Sequence, residues 1–191
     1  MRARRTPGDP YLARESEACM IIFTDLDGTL LDHSGYSWRD ALPALKEIRS
    51  KNVPLVMCTS KTRKEVEVLQ EEMGLREPFI VENGAGIYFP EDYRGFRIEK
   101  SVARQGLHCL ALGASYSRIR SFVEKVRAEY PIRGFGDMSV EEVAERTGLA
   151  PEEAARAKAR EFTEPFIIEG ERVLHNLQKD AQRAGIRITR G

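Results

Sequence analysis

The sequence predicts an α/β fold with a largely parallel sheet, joined to a smaller α+β unit. Three observations carry this expectation. Between residues 20 and 90, short apolar runs alternate with amphipathic stretches, the signature of strand–helix–strand units. The run 53–58 is apolar throughout, as a strand buried on both faces requires. Beyond Pro90 the alternation gives way to short strands and separately capped helices, which marks 91–191 as a different, inserted unit. At 191 residues the chain can hold one ordinary domain or a core with such a cap, and 41% apolar residues can fill a core.

Each element has its own signal. The first strand is expected over 20–24. A helix follows over 38–50, with Leu42, Leu45 and Ile48 on one stripe. The second strand, 53–58, leads into a helix over 62–73, capped by Thr59 or Ser60 and closed by Gly74; its apolar face holds Val66, Leu69 and Met73. The third strand, 79–81, runs into Glu82-Asn83-Gly84-Ala85-Gly86 and a hairpin return over 87–89. Residues 96–98 and 107–112 read as strands, and 117–130 as a helix carrying Ile119, Phe122, Val123 and Val126. Ser139 and Glu142 have capping-box spacing, and Pro151 sits in the first turn of another helix. A strand over 166–168, a helix over 171–184 and a strand over 186–189 come last.

Composition narrows the function classes. Thirty acids balance thirty bases, so nothing points to nucleic acid or an anionic membrane surface as partner. Cys19, Cys58 and Cys109 form no CxxC pair, which suits reduced thiols and a cytoplasmic location. No apolar run approaches the length of a membrane span. Residues 1–19 are basic at first, lack the apolar core of a signal peptide and show no periodicity. They are expected to form a disordered arm, with Met20 a candidate alternative start.

The most informative stretch is Phe23-Thr24-Asp25-Leu26-Asp27-Gly28-Thr29-Leu30-Leu31. At an extended strand end, side chains i and i+2 share a face, so Asp25 and Asp27 can reach one small site, and Gly28 permits a sharp turn after them. Two adjacent carboxylates repel, and a divalent cation, a shared proton or a nearby base must offset that. A hard cation such as Mg²⁺ suits them, since it accepts one or two carboxylates plus substrate phosphate. Three strands deliver Asp25/Asp27, Thr59/Ser60 and Glu82/Asn83 at their carboxyl ends, where ligands bind in open α/β sheets.

The run DLDGTLL at 25–31 resembles the first motif of the haloacid dehalogenase superfamily of phosphatases. That resemblance implies a Rossmannoid core with an inserted α+β cap: residues 20–90 as the core and 91–191 as the cap. It also implies roles. Asp25 would be the nucleophile, forming an aspartyl-phosphate; Asp27 the general acid and base; Mg²⁺ would be held by Asp25 and Asp27. Thr59 would hold phosphate oxygens, although it also reads as a helix cap. The segments Cys58-Thr59-Ser60-Lys61-Thr62, Val81-Glu82-Asn83-Gly84-Ala85-Gly86-Ile87-Tyr88, Gly134-Phe135-Gly136-Asp137-Met138-Ser139 and Arg160-Glu161-Phe162-Thr163-Glu164-Pro165-Phe166 resemble the mannosyl-3-phosphoglycerate phosphatases, from about residue 20 onward. The implied partner is a small phosphorylated sugar-glycerate, and the implied product, mannosylglycerate, is a compatible solute. Lys61, Asn83, Gly84, Arg160, Glu161 and Glu164 match substrate-binding positions. Each has a plainer reading: a solvated helix-start lysine, an Asn-Gly turn, a charged surface.

The resemblance runs to the last residues, Ile188-Thr189-Arg190-Gly191, and no lysine follows Lys179. Members continue into an Asp-Lys-Gly motif and a Gly-Asp-Ser-x-Asn-Asp motif, which steady the phosphate and finish the Mg²⁺ site; neither occurs here. The core sheet is therefore expected to be incomplete, and an uncovered face favours association. The alternative to a phosphatase is a non-catalytic remnant that binds a phosphosugar or a partner chain. A receiver-type phospho-acceptor domain also uses a strand-end acid pair, but the 91–191 segment counts against it.

Overall fold

The computed structural model describes residues 20–32, 35–95, 99–168 and 170–190. The expected arm over 1–19, Cys19, His33 and the expected strand over 96–98 lie outside those residues. Strand β1 (Ile22–Thr24) is followed by α1 (Leu42–Ser50), entered through a short 3-10 turn at Arg39–Ala41. Then come β2 (Leu55–Cys58), α2 (Arg63–Met73), β3 (Phe79–Val81), β4 (Gly86–Pro90), β5 (Val102–Arg104) and β6 (Leu107–Ala111). The remainder is α3 (Tyr116–Val126), β7 (Ile132–Gly134), α4 (Val140–Thr147), α5 (Pro151–Lys158), β8 (Phe166–Ile168) and α6 (Glu171–Arg183).

Six strands form one sheet in the order β1-β2-β3-β4-β6-β5, and β7 pairs with β8 apart from it. The pairs β1–β2 and β2–β3 are parallel, as the intervening helices α1 and α2 permit. From β3 on the sheet turns antiparallel, because only Glu82–Ala85 separates β3 from β4, too short for a crossover. The sheet is thus parallel on one side only. Strands β5 and β6 extend it antiparallel to β4 and to each other, so the expected core–cap boundary at 91 falls inside the sheet. Gln105 and Gly106, both with positive φ, make the two-residue turn between β5 and β6.

The core lies between this sheet and its helices, around Leu26, Leu31, Met57, Val66, Phe79 and Tyr88, all nearly or fully buried. A second cluster gathers Val123, Val126, Tyr130, Ile132 and Leu177 under β7–β8, with Ile188 against it. The expected strand over 186–189 is absent: these residues pack without strand pairing. β1 is an outer strand, and Phe23 on it is 63% exposed. No helix among the described residues is long and apolar enough to cross a membrane.

The cap of α2 is Thr62, rather than Thr59 or Ser60. Its hydroxyl accepts from the Glu65 N–H, and the Glu65 carboxylate accepts from the Thr62 N–H at 2.7 Å, a reciprocal box. Thr59 is thereby left to serve the loop before the helix. The box expected at Ser139 and Glu142 forms at the start of α4, and Pro151 opens α5.

Candidate active site

The turn after β1 sorts its side chains by period two. Leu26 is fully buried, while Asp25 and Asp27 on either side of it are exposed on the opposite face. The backbone then folds back: the N–H groups of Thr29 and Leu31 both reach the Leu26 carbonyl, with Gly28 at φ 71° between. Leu31, 2% exposed, anchors the far side of the turn. One Asp25 carboxylate oxygen accepts the Leu26 N–H at 2.7 Å.

The end of β2 supplies the neighbours. Thr24 lies across from Met57, so Asp25 emerges one residue further along, beside Cys58. Burial pushes the Cys58 thiol up, and the Asp25 charge adds to that. Thr59 is buried, and its hydroxyl accepts the Lys61 N–H at 3.1 Å. Lys61 turns back toward the acid pair: its ammonium stands 2.9 Å from an Asp27 oxygen and 5.3 Å from the Tyr36 ring centre. A cation therefore sits beside the second of the two carboxylates, which offsets part of their repulsion.

The loop after β3 interlocks with that segment. Asn83 N–H bonds to the Thr59 carbonyl at 3.0 Å, and Glu82 N–H to the Lys61 carbonyl at 3.0 Å. Glu82, Asn83 and Gly84 follow one another at φ 50°, 59° and 89°. This left-handed run presents the exposed Asn83 at the rim.

The three expected residues beyond α5 part ways. Arg160 reaches the site's edge, donating to the Ser60 carbonyl at 2.8 Å and to the Ala157 carbonyl at 2.8 Å. Glu161 pairs with Arg63 of α2 at 2.7 Å. Glu164 is engaged away from the acid pair, with its side chain 1% exposed; it accepts from Arg120 at 2.9 Å and from the Gly136 N–H at 2.8 Å. Sequence reasoning named Glu82 without a role. In the structure its carboxylate is buried and holds residues 161–163, and no local pattern signals a partner about 80 residues away.

A cleft of about 820 Å³ opens beside these loops, with Ser60, Asn83, Arg160 and Glu164 on its lining and Phe122, Phe166 and Leu174 among its apolar walls. Asp25 and Asp27 are outside its lining, which the neighbouring loops reach through Ser60 and Asn83. The Asp25 carboxylate and the Asp27 carbonyl offer oxygen donors, the type Mg²⁺ selects. Among the described residues no group of three or more His, Cys, Asp and Glu gathers around a common point. The pair fits a hard cation that takes its other ligands from water and phosphate.

Two of the recognised segments meet in one contact. A Cβ built on Gly86 would stand 2.5 Å from Cε2 of Phe162 and 3.3 Å from Cε2 of Tyr88. Both rings are buried, and a methyl group there would force at least the Phe162 ring to shift. Gly86→Ala is expected to lower stability by about 1–3 kcal/mol, read from urea unfolding. An unchanged midpoint would mean that Phe162 does not seat on Gly86.

Comparison with known proteins places the geometry in a family. A model described as haloacid dehalogenase-like hydrolase matches residues 22–129. A Persephonella marina protein named glucosyl-3-phosphoglycerate/mannosyl-3-phosphoglycerate phosphatase is 51% identical over 90% of this chain and 64% of its own length. A Methanococcoides burtonii protein of the same name is 44% identical over 90% and 64%. A Pyrococcus furiosus mannosyl-3-phosphoglycerate phosphatase is 35% identical over 90% and 68%. The chain thus spans about two thirds of the length of these relatives, just under it for the first two. Among solved structures, a Thermoplasma acidophilum protein aligns at TM-score 0.57 and 16% identity, covering 90% of this chain and 61% of that one. A haloacid dehalogenase-like hydrolase from B. subtilis aligns at TM-score 0.50 and 18% identity, covering 86% and 67%; these two support the fold alone. With the acid pair at the end of β1, the matched family model and relatives above 30% identity, the chain belongs to the haloacid dehalogenase-like hydrolases.

Proposed function

We propose that this chain is a Mg²⁺-dependent phosphatase of mannosyl-3-phosphoglycerate and glucosyl-3-phosphoglycerate, acting through a phosphorylated Asp25. The supporting observation is the exposed Asp25/Asp27 pair on one face of the β1 turn, with Lys61 beside it and the interlocked Thr59 and Asn83 loops alongside. The names of the relatives supply the substrate class, and two of them carry both sugars.

In this reading an Asp25 oxygen attacks phosphorus, and the bond from phosphorus to the glycerate oxygen breaks. Asp27 gives its proton to that departing oxygen. Water then attacks the aspartyl-phosphate, Asp27 takes the water proton, and phosphate leaves with Asp25 restored. Lys61 lies where it can release Asp27 and meet phosphate or glycerate charge. Thr59 and the N–H groups after Asp25 would receive phosphate oxygens. Asn83 and Gly84 would face the substrate, and Arg160 would meet a carboxylate. Mg²⁺, held by the Asp25 carboxylate and the Asp27 carbonyl, would offset charge on the phosphate. Glu161 and Glu164, engaged by Arg63 and Arg120, would shape the cleft by holding those arginines. The acid pair, the reduced cysteines and the neutral charge balance suit a cytoplasmic enzyme with a small-molecule substrate.

The test is phosphate release from both sugar phosphoglycerates, with Mg²⁺ and after chelation. Release from both with Mg²⁺, lost on chelation and restored by added Mg²⁺, is the expected result. A folded chain that releases no phosphate would sink the reading; if it still binds the phosphosugar by calorimetry, the non-catalytic alternative takes its place.

A further inference from the structure

We propose that Glu82 is a positioning residue whose carboxylate latches residues 161–163 onto the loops that carry Thr59, Lys61 and Asn83, and so sets the width of the cleft. Its catalytic meaning rests on the phosphatase reading above.

A carboxylate that is 1% exposed is costly to bury without partners. Glu82 finds its partners in one place. One oxygen accepts the Glu161 N–H at 2.8 Å; the other accepts the Phe162 N–H at 3.0 Å and the Thr163 hydroxyl at 2.6 Å. All three donors come from the segment that leads from α5 to β8. Such charge-assisted bonds are stronger than neutral ones and confer direction as well as attraction.

The backbone of the same residue faces the other way. Its N–H bonds to the Lys61 carbonyl, and that of Asn83 to the Thr59 carbonyl. Glu82 is neither glycine nor asparagine, yet it adopts φ 50° ahead of two more left-handed residues. A conformation of this kind persists only where surrounding bonds over-determine it, and it clusters at ligand sites. Here the main-chain bonds hold it from one side and the cap segment from the other.

Further links run parallel to the latch. Arg160 donates to the Ser60 carbonyl at 2.8 Å, and the Thr62 hydroxyl to the Arg156 carbonyl at 2.9 Å. Ser60, Asn83, Arg160 and Thr163 all line the cleft. A shift of 161–163 therefore moves one wall of the cleft against the other. A large phosphosugar, which must touch both walls, feels that shift. A small phosphomonoester, which needs only the phosphate side, does not.

The experiment uses the whole chain and its Glu82→Gln, Glu82→Ala and Thr163→Val variants. Hydrogen exchange is followed at the Glu161 and Phe162 amides, with amides of α1 and β2 as reference. Steady-state kinetics are measured on mannosyl-3-phosphoglycerate and on p-nitrophenyl phosphate. Glu82→Ala is expected to speed exchange at the two amides by about tenfold or more while the reference amides keep their protection. KM for the sugar substrate is expected to rise about tenfold, with the small ester within about twofold. Glu82→Gln, which keeps one acceptor oxygen, should restore part of both effects, and Thr163→Val should reproduce a fraction of them. Unchanged exchange at the two amides overturns the latch. Uniform loosening of all amides, or parallel losses on both substrates, reduces Glu82 to a general stabiliser and overturns the positioning role. If the parent chain hydrolyses neither substrate, the phosphatase reading fails, while exchange at Glu161 and Phe162 still decides the latch.

Discussion

Asp25→Asn is expected to reduce phosphate release by on the order of 10⁴-fold or more, as loss of a covalent nucleophile does, while the fold stays intact. The substitution keeps shape and leaves an oxygen to accept the Leu26 N–H, and the side chain is exposed, so little packing changes. Asp27→Asn is expected to cost about 10²–10⁴-fold, the range for a general acid–base group. It also frees Lys61, but a pair in which Asp27 is 43% exposed contributes little to stability. Phosphate release measured beside thermal melts separates the two claims. An Asp25→Asn chain that retains turnover within about tenfold of the parent would remove Asp25 from the nucleophile's role. A chain that loses both turnover and its melting transition would show instead that the β1 turn needs the carboxylate to fold.

How much of this was legible beforehand depends on the range of each interaction. The acid pair was legible because its logic is local: alternation at a strand end puts Asp25 and Asp27 on one face, and buried Leu26 fills the gap between them. The Ser139 box was legible for the same reason. The cap of α2 was misplaced by two or three residues because Thr59, Ser60 and Thr62 are all eligible by type; the reciprocal bond with Glu65 decides among them. Strands β5 and β7 escaped notice. Each is three residues long, too short for periodicity, and Gln105-Gly106 is not a strong hairpin pair. The boundary at 91 was drawn by a change of texture, yet β5 and β6 join the sheet through β4. Among the charged residues, the recognition role of Glu161 and Glu164 was implied by resemblance, and the pairings that position them run to distant partners that no local pattern signals. Arg63 claims Glu161 from 98 residues away, and Arg120 claims Glu164 from 44.

That last pairing carries the largest expected effect on stability. Arg120→Ala is expected to lower the unfolding free energy by about 3–5 kcal/mol at neutral pH, because it takes the guanidinium from two buried carboxylates and leaves Glu164 with the Gly136 N–H and Asp137 with the Gly134 N–H and the more distant Arg127. The Arg120 guanidinium serves Glu164 at 2.9 Å and Asp137 at 3.2 Å, and their side chains are 1% and 9% exposed. Its hydrogen bond to Asp137 is the main reason that this carboxyl lies below its ordinary 3.8; burial opposes the shift, and the Gly134 N–H assists it. Gly134 and Gly136 leave the room, since a Cβ on either would collide with Glu164 or Arg120. The pH dependence follows from the direction of the shift. A depressed folded pKa means that the Asp137 contribution is complete above about pH 4 and is lost as pH falls through the folded value. The gap between parent and Arg120→Ala should therefore be widest near pH 7 and narrow below about pH 4, where Asp137 can take up a proton. Arg120→Lys keeps the charge but not the planar fork, and should fall between them. Urea unfolding of the three chains at neutral and acid pH reads this directly. A gap independent of pH would assign the loss to packing of the Arg120 side chain against Gly136, and not to the two acids.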